Sequence, residues 1–437
     1  MEKFEKTKKQ LDSVSPSFCL AKWQQVTIHL QNGHTHSCHH PQTHKIPLEE
    51  IKENPSALHN TEYKKQQRKL MLEGKRPDEC SYCWKVEDSK GKHYSDRIKK
   101  SSNSTWAMPY FDQVKSQQWH INTNPAQVEV SFGNVCNMKC VYCSPVFSSE
   151  WWSEIKHEGA YPTRDSYNNL EWISETDRTP YLNREENPYV EAWWKWWPEL
   201  KKTLQVLRIT GGEPLLNKNT FKLLDDLEQN PQPHLRLEIN SNLSISAETI
   251  IATCHKLKKL KNEGCIKEAM IHTSCDCAGE QAEYIREGMV YSKWLEHCKM
   301  VLRTGISLHI MVTANMLSID TQKQLLTDVY SLKRAYSGVT YGISILHSPS
   351  FLNVLTLPKT DYWIAKFDEL VKYVKEQPET QENELNYATR LRNYFVETKL
   401  GKREANNRLK DCSKFVQEID RRRNKNFTNT FVNYSFI

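Results

Sequence analysis

Three cysteines, Cys136, Cys140 and Cys143, fall within one short stretch, Ser131-Phe-Gly-Asn-Val-Cys-Asn-Met-Lys-Cys-Val-Tyr-Cys. Thiolates are soft ligands, and three from one turn can hold three irons of a cubane cluster while the fourth iron lacks a protein ligand. Most cluster proteins close the site with four cysteines. An open position instead lets a substrate or cofactor bind the metal directly, which separates chemistry from electron transfer. Taken alone, the spacing also fits part of a zinc site. A second motif, Leu207-Arg-Ile-Thr-Gly211-Gly212-Glu213-Pro214, stands at the end of the second predicted strand of the central region. Its two glycines let the backbone approach a ligand closely, and Glu213 offers an acceptor for an ammonium group.

Together the two motifs resemble the radical S-adenosylmethionine (radical SAM) superfamily, whose signature is this cysteine loop followed by Gly-Gly-Glu-Pro. The resemblance implies that Cys136, Cys140 and Cys143 hold a [4Fe-4S] cluster. Its free iron would bind the amino and carboxylate groups of SAM. It also implies that Gly211, Gly212, Glu213 and Pro214 position the SAM amino group, with Tyr142 near the adenine. Reductive cleavage would then give a 5′-deoxyadenosyl radical able to remove an unactivated hydrogen atom. Further segments look like the family's. Ser274-Cys-Asp276-Cys-Ala-Gly279 with Arg286, twelve residues beyond the serine, is similar to the fourth-strand motif. It would bring Ser274 and Arg286 to the SAM ribose and carboxylate, with Asp276 between them. A purely structural role for Ser274 and Asp276 stands beside that reading. Glu238-Ile-Asn240-Ser-Asn242 is similar to the third-strand motif and puts Asn240 at the cofactor. Asn242 occupies a glycine position, and asparagine tolerates a positive φ there. Gly342–Leu346 would lay backbone beside the adenine by analogy.

A second constellation lies upstream: Cys19, Cys38, and Cys80-Ser-Tyr-Cys83. Four soft ligands suffice for zinc or for an iron–sulfur cluster, and spacing does not choose between them. The segment looks like the twitch or SPASM-type auxiliary modules of radical SAM enzymes, placed before the barrel as in the N-terminal-twitch branch. The resemblance therefore implies a second, auxiliary [4Fe-4S] cluster on Cys19, Cys38, Cys80 and Cys83, with zinc as the lesser reading. Among the nearby histidines, His39 or His40 is the best substitute for Cys19.

The elements that position these motifs follow from periodicity. Val128–Phe132, Val206–Ile209, Leu235–Ile239, Ala269–Thr273, Ser307–Val312 and Gly342–Leu346 read as strands. Helix-like stretches such as Phe221–Leu227 and Ile250–Leu260 lie between them. Such alternation predicts parallel βα units, an α/β fold with a partial (β/α)6 barrel rather than the closed eight-stranded one. The expected organisation is a Cys-rich N-terminal domain (1–100), an irregular connector (101–126), the barrel (127–350) and a helical C-terminal region (351–437). The barrel carries a Trp-rich insertion at 144–200. Within it, Trp193, Trp196, Trp197 and Leu200 share one helix face, read as packing against the barrel; an aromatic wall over its open end is the sharper reading.

Composition narrows the function classes. No run of about 20 apolar residues is present, so no membrane span is expected, and the N-terminus lacks a signal-like apolar core. A cytoplasmic enzyme is expected, and clustered cysteines there favour metal over disulfides. A net charge of +7 permits an anionic partner such as RNA without the concentrated basic stripe that would argue for one. Arg421-Arg422-Arg423 reads as a solvated tail. Cys254, Cys265, Cys275, Cys277, Cys298 and Cys412 read mostly as small buried hydrophobes, with Cys275 or Cys277 as a candidate hydrogen donor to a substrate radical. The function expected is a radical SAM enzyme abstracting hydrogen from a peptide or protein, with a reductant such as flavodoxin or ferredoxin as partner. A small metabolite or nucleotide substrate is the alternative.

Overall fold

The computed structural model describes residues 2–89, 93–182 and 185–437. Eleven strands form in these residues: β1 (Gln25–His29), β2 (His34–His36), β3 (His44–Lys45), β4 (Gln127–Ser131), β5 (Lys139–Cys140), β6 (Val206–Thr210), β7 (Gln232–Asn240), β8 (Ile266–Ser274), β9 (Arg286–Glu287), β10 (Ser307–Ala314) and β11 (Val339–Ile345). Nine of them make one sheet in the order β11-β10-β8-β7-β6-β4-β1-β2-β3. β4, β6, β7, β8, β10 and β11 are parallel to their neighbours, with helices in the connections. They contain the six strands expected from the alternation, and the sheet is an open one.

Strict alternation gives each strand two different faces. Along β10, Leu308, Ile310 and Val312 are buried while Ser307, His309, Met311 and Thr313 stay partly open. The buried set packs on the surrounding helices in the main core. The other set lines the concave side. Arg208 on β6 donates to the Met311 sulfur on β10 at 3.0 Å. These strands are three positions apart, about 14 Å along a flat sheet. An arginine crosses that span only because the sheet curls.

The N-terminal region is less separate than its composition suggests. β1 lies parallel to β4 in register, Val26 beside Val128 and Ile28 beside Val130, and extends the parallel sheet by a seventh strand. Val26, Ile28, Leu30, Ile46 and Leu58 join the main core. A second, smaller core gathers Leu11, Phe18, Trp23, Met71, Trp84, Trp106, Phe111 and Val114, with Cys19, Cys38 and Cys80 against it. The stretch expected as irregular connector contributes to that core through helices Asp96–Asn103 and Phe111–Ser116. Polar Ser and Asn tracts read as loop, yet Ile98 and Ser101 face inward and hold the first helix in place.

Trp193, Trp196, Trp197 and Leu200 are all buried on one face of helix Pro188–Leu200. The C-terminal arginines are a correction to the tail reading. They end the helix Lys402–Arg423, and Arg423 is almost fully buried. Arg423 pairs with Glu154 and donates to the Lys139 carbonyl at 2.8 Å. A basic run looks solvated in sequence because its carboxylate and carbonyl partners lie more than 260 residues away. No helix among the described residues is long and apolar enough to cross a membrane.

Candidate functional site

The cysteine loop, the Gly-Gly-Glu-Pro turn and the Asn240 and Ser274 segments all follow the carboxyl ends of parallel strands. Such ends are where open α/β sheets place their sites. The loop is pinned by its own neighbours. Ser149 Oγ accepts from the Cys136 amide at 3.1 Å and donates to its carbonyl at 3.2 Å. Trp151 Nε1 donates to the Cys140 carbonyl at 2.8 Å, and Ser148 Oγ to that of Met138 at 2.7 Å. The first helical turn of the Trp-rich insertion thus holds three carbonyls of the loop and leaves the thiols to other partners.

The glycines work differently from the sequence reading. A Cβ on Gly212 would overlap the Val135 carbonyl, and one on Gly211 would sit 2.7 Å from Ser131 Oγ and 2.8 Å from the Gly133 carbonyl. Gly211 also has φ +127°, a conformation costly for other residues. Both glycines therefore let the turn press against the cysteine loop itself, where the Glu213 amide donates to the Val135 carbonyl at 2.7 Å. Pro214, buried, opens the short 3₁₀ turn that follows.

Glu213 is buried, and its two oxygens accept the amides of Leu215 at 3.1 Å and Asn242 at 2.7 Å. It fastens the β6 and β7 ends together. Burial pushes its carboxyl up to about 7 against the pull of those amides. A carboxyl that holds its proton more tightly folded than unfolded lowers stability as pH rises between the two values. The metal-free protein should therefore lose unfolding free energy from pH 4.5 to about 7. Urea titrations across that range check this, and Glu213→Gln should flatten the slope.

In the β7 turn the left-handed residue is Leu243, φ +50°, and not Asn242. Asn242 instead donates through its side chain to Asn137 of the cysteine loop at 2.7 Å. Asn240 accepts from Arg208 Nε at 2.9 Å on the concave face.

A buried ion-pair network completes the site. Asp276 is fully buried and Arg286 nearly so, with Arg286 Nε 3.0 Å from Asp276 Oδ2. The same carboxylate accepts from Tyr142 at 2.8 Å and from the Thr313 amide at 2.9 Å. Arg286 also bonds the Tyr142 hydroxyl, and its Nη1 lies 3.7 Å from Cys140 Sγ. Its backbone pairs antiparallel with Cys140 through β5 and β9. Gly288, φ +103°, permits this approach, since a Cβ there would lie 2.7 Å from the Asn137 carbonyl. Ser274 stays partly open beside the network with its side chain in none of these bonds. The cation in this network was visible in sequence only through the resemblance, because ten residues separate Arg286 from Asp276.

Burial pushes the Cys136 thiol up to about 12 and raises those of Cys140 and Cys143, while Arg286 draws Cys140 back down. A metal entering this loop must displace those protons, so its own charge is what makes the ligands. A tetrahedral zinc needs sulfurs about 3.8 Å apart, from Zn–S bonds of about 2.3 Å. Among the described residues, the group of three ligand atoms found within 4.8 Å of one another is His39, His40 and Asp96. Neither cysteine set is drawn in to zinc spacing, and both donor sets fit a larger cluster.

One cavity of the N-terminal region is lined by Cys19, Cys38, Cys80 and Cys83. Lys22 and Arg97, both buried, line it as well. Burial raises the Cys80 thiol to about 11 while Lys22 pulls it down. His40 stacks on Tyr82 at 3.7 Å and bonds Asp96 at 2.9 Å at the cavity edge. Cys275 and Cys277 are fully buried, and Cys275 Sγ donates to the Cys277 carbonyl at 3.2 Å. Their thiols face the core, which argues against the role of hydrogen donor at an open face.

No protein-family model and no curated protein matches this chain. Among solved structures it is similar to native anSMEcpe with bound AdoMet and Cp18Cys peptide, at 14% identity and a TM-score of 0.34, covering 57% of this chain and 58% of that one. It is also similar to Streptococcus suis SuiB bound to S-adenosylmethionine, at 14% identity and a TM-score of 0.38, covering 87% of this chain and 75% of that one. For SuiB bound to precursor peptide SuiA the values are 12%, 0.36, 84% and 71%. The chain spans less than two thirds of the anSMEcpe structure.

Proposed function

We propose that this chain is a radical SAM enzyme that abstracts a hydrogen atom from a peptide or protein substrate. The observation that carries the reading is the convergence on one strand-end surface of the three-cysteine loop, the Gly-Gly-Glu-Pro turn and the buried Tyr142–Asp276–Arg286 network. A [4Fe-4S] cluster on Cys136, Cys140 and Cys143 would, with SAM, supply the 5′-deoxyadenosyl radical.

The chain's own residues do the rest. Arg286 sets a fixed positive charge beside Cys140, which favours the thiolate. Asp276 holds that guanidinium and the Tyr142 hydroxyl in place, so the loop keeps one geometry. Gly211 and Gly212 let the turn carrying Glu213 close against the loop.

A peptide substrate is favoured by a cleft of about 610 Å³ lined by residues that follow both cysteine groups. Ser144 and Phe147 come after Cys143, His39 and His40 after Cys38, and Tyr167 and Trp172 from the Trp-rich insertion complete the wall. Its size is within the range of organic ligand sites, and its open form suits a chain passing through.

We assign the quartet Cys19, Cys38, Cys80 and Cys83 to an auxiliary [4Fe-4S] cluster, on the shared cavity and the spacing too wide for zinc. Iron and sulfide counting on anaerobically reconstituted protein tests this. Wild type should carry two clusters and Cys80→Ala one, with an unchanged count overturning the assignment. For the function itself, dithionite-driven 5′-deoxyadenosine formation and mass spectrometry of candidate precursor peptides are the measurements. Conversion of a small metabolite with peptides unchanged would overturn the peptide reading.

A further inference from the structure

The concave face of the sheet is polar where a packed barrel would carry branched apolar residues. Glu129, Arg208, Glu238, Asn240, His272 and His309 occupy it, while Val128, Val130, Leu207, Ile209, Ile271 and Ile310 fill the outer face. Most of these polar groups have partners. Glu238 is held by Arg236 at 2.8 Å and lies 3.0 Å from His272. Arg208 is turned toward Asn240 and the Met311 sulfur. His309 bonds Thr340 at 2.8 Å.

Glu129 differs from them. It lies on β4 between Thr27 of β1 and Arg208 of β6. What acts on its carboxyl is burial, which raises its pKa, and the more distant charges of Arg208, Glu238 and Lys100. Among the described residues none of these makes a hydrogen bond or an ion pair with it. A carboxylate enclosed by protein but without a donor is costly, and a ligand that brings the donor recovers the cost. Its position is also informative. It stands two residues before the end of β4, and its strand runs straight into the cysteine loop. Lys100, whose field reaches it, belongs to the helix that also lines the four-cysteine cavity.

We propose that Glu129 anchors an ammonium or guanidinium group of the substrate inside the barrel, so that the modified residue or its neighbour is a lysine or arginine. This deepens the radical SAM reading and rests on it for the identity of the site. Arg208 cannot serve the same group, and Glu238 is already occupied, so Glu129 is the carboxylate left for a cation. The neutral, partnered histidines then set the polar surround. Burial holds the pKa of His309 near 4 and lowers that of His272, so neither competes as a cation near neutral pH.

The test uses reconstituted protein with SAM and two probes, N-acetylarginine amide and its uncharged isostere N-acetylcitrulline amide. Calorimetry or NMR titration should give the arginine probe an advantage of at least about tenfold in wild type, as expected of a charge-assisted bond. In Glu129→Gln, which keeps the side-chain shape, the advantage should fall below about twofold. Equal binding of both probes to wild type, or a preference that survives Glu129→Gln, would overturn the proposal. Thermal melts of Glu129→Gln should match or exceed wild type, since a buried carboxylate is removed. 5′-Deoxyadenosine is measured in the same samples: its absence sinks the radical reading, whereas the probe preference decides the anchor by itself.

Discussion

Cys140→Ala should abolish dithionite-driven 5′-deoxyadenosine formation, with a loss of at least about a thousandfold against wild type. Cys140 is the central ligand of the loop, and its surroundings leave it no substitute. Its backbone is fixed between Trp151 and the β9 strand, and its sulfur lies 3.7 Å from the Arg286 guanidinium. Removing the sulfur leaves Arg286 facing a void and a cluster short of one ligand. Chromatography of anaerobic reactions measures the nucleoside, and iron counting separates cluster loss from a silent but intact cluster. Cys298→Ala is the matched control, because that thiol is buried in the core far from either metal-binding set. Nucleoside formation at wild-type levels in Cys140→Ala would remove the basis of the radical reading.

The second large effect falls on Asp276. Asp276→Ala removes the acceptor shared by Arg286, Tyr142 and the Thr313 amide, and strands a guanidinium in the interior. Breaking one side of a buried ion pair costs about 3–5 kcal/mol. Urea unfolding should show that loss, together with loss of nucleoside formation. The double variant Asp276→Leu/Arg286→Met should recover most of the stability, since replacing both charges by apolar groups is often neutral. It should not recover 5′-deoxyadenosine formation. That split distinguishes a residue pair that positions the Cys140 loop from one that merely holds the fold. Recovery of both properties would assign the pair a structural role alone.

These two expectations differ in how far sequence could reach them. The ligand loop is local: Cys136, Cys140 and Cys143 lie within one turn, so type and spacing already limit what they can bind. The same holds for the six parallel strands, because alternation with period two is a local property of each run. The Trp-rich helix was legible for the same reason, with its apolar face repeating every three to four residues.

Other features depended on partners distant along the chain. The Gly211–Gly212 pair reads as a ligand cradle until the Val135 and Gly133 carbonyls are seen to occupy the space a Cβ would need. Arg421–Arg423 reads as a tail until Glu154 and the Lys139 carbonyl are placed beside it. β1 gave a strand signal, but nothing in its five residues says that it joins the barrel sheet beside β4. Glu129 illustrates the point most sharply. In sequence it is a polar residue alternating with valines, and only the curl of the sheet encloses its carboxyl and leaves it without a donor. Sequence alone determined the ligand types, their spacing and the strand–helix alternation, because each is set by neighbours in the chain. Tertiary structure decided which groups are paired and which wait for a ligand, because burial and ion pairing are properties of residues brought together from far apart.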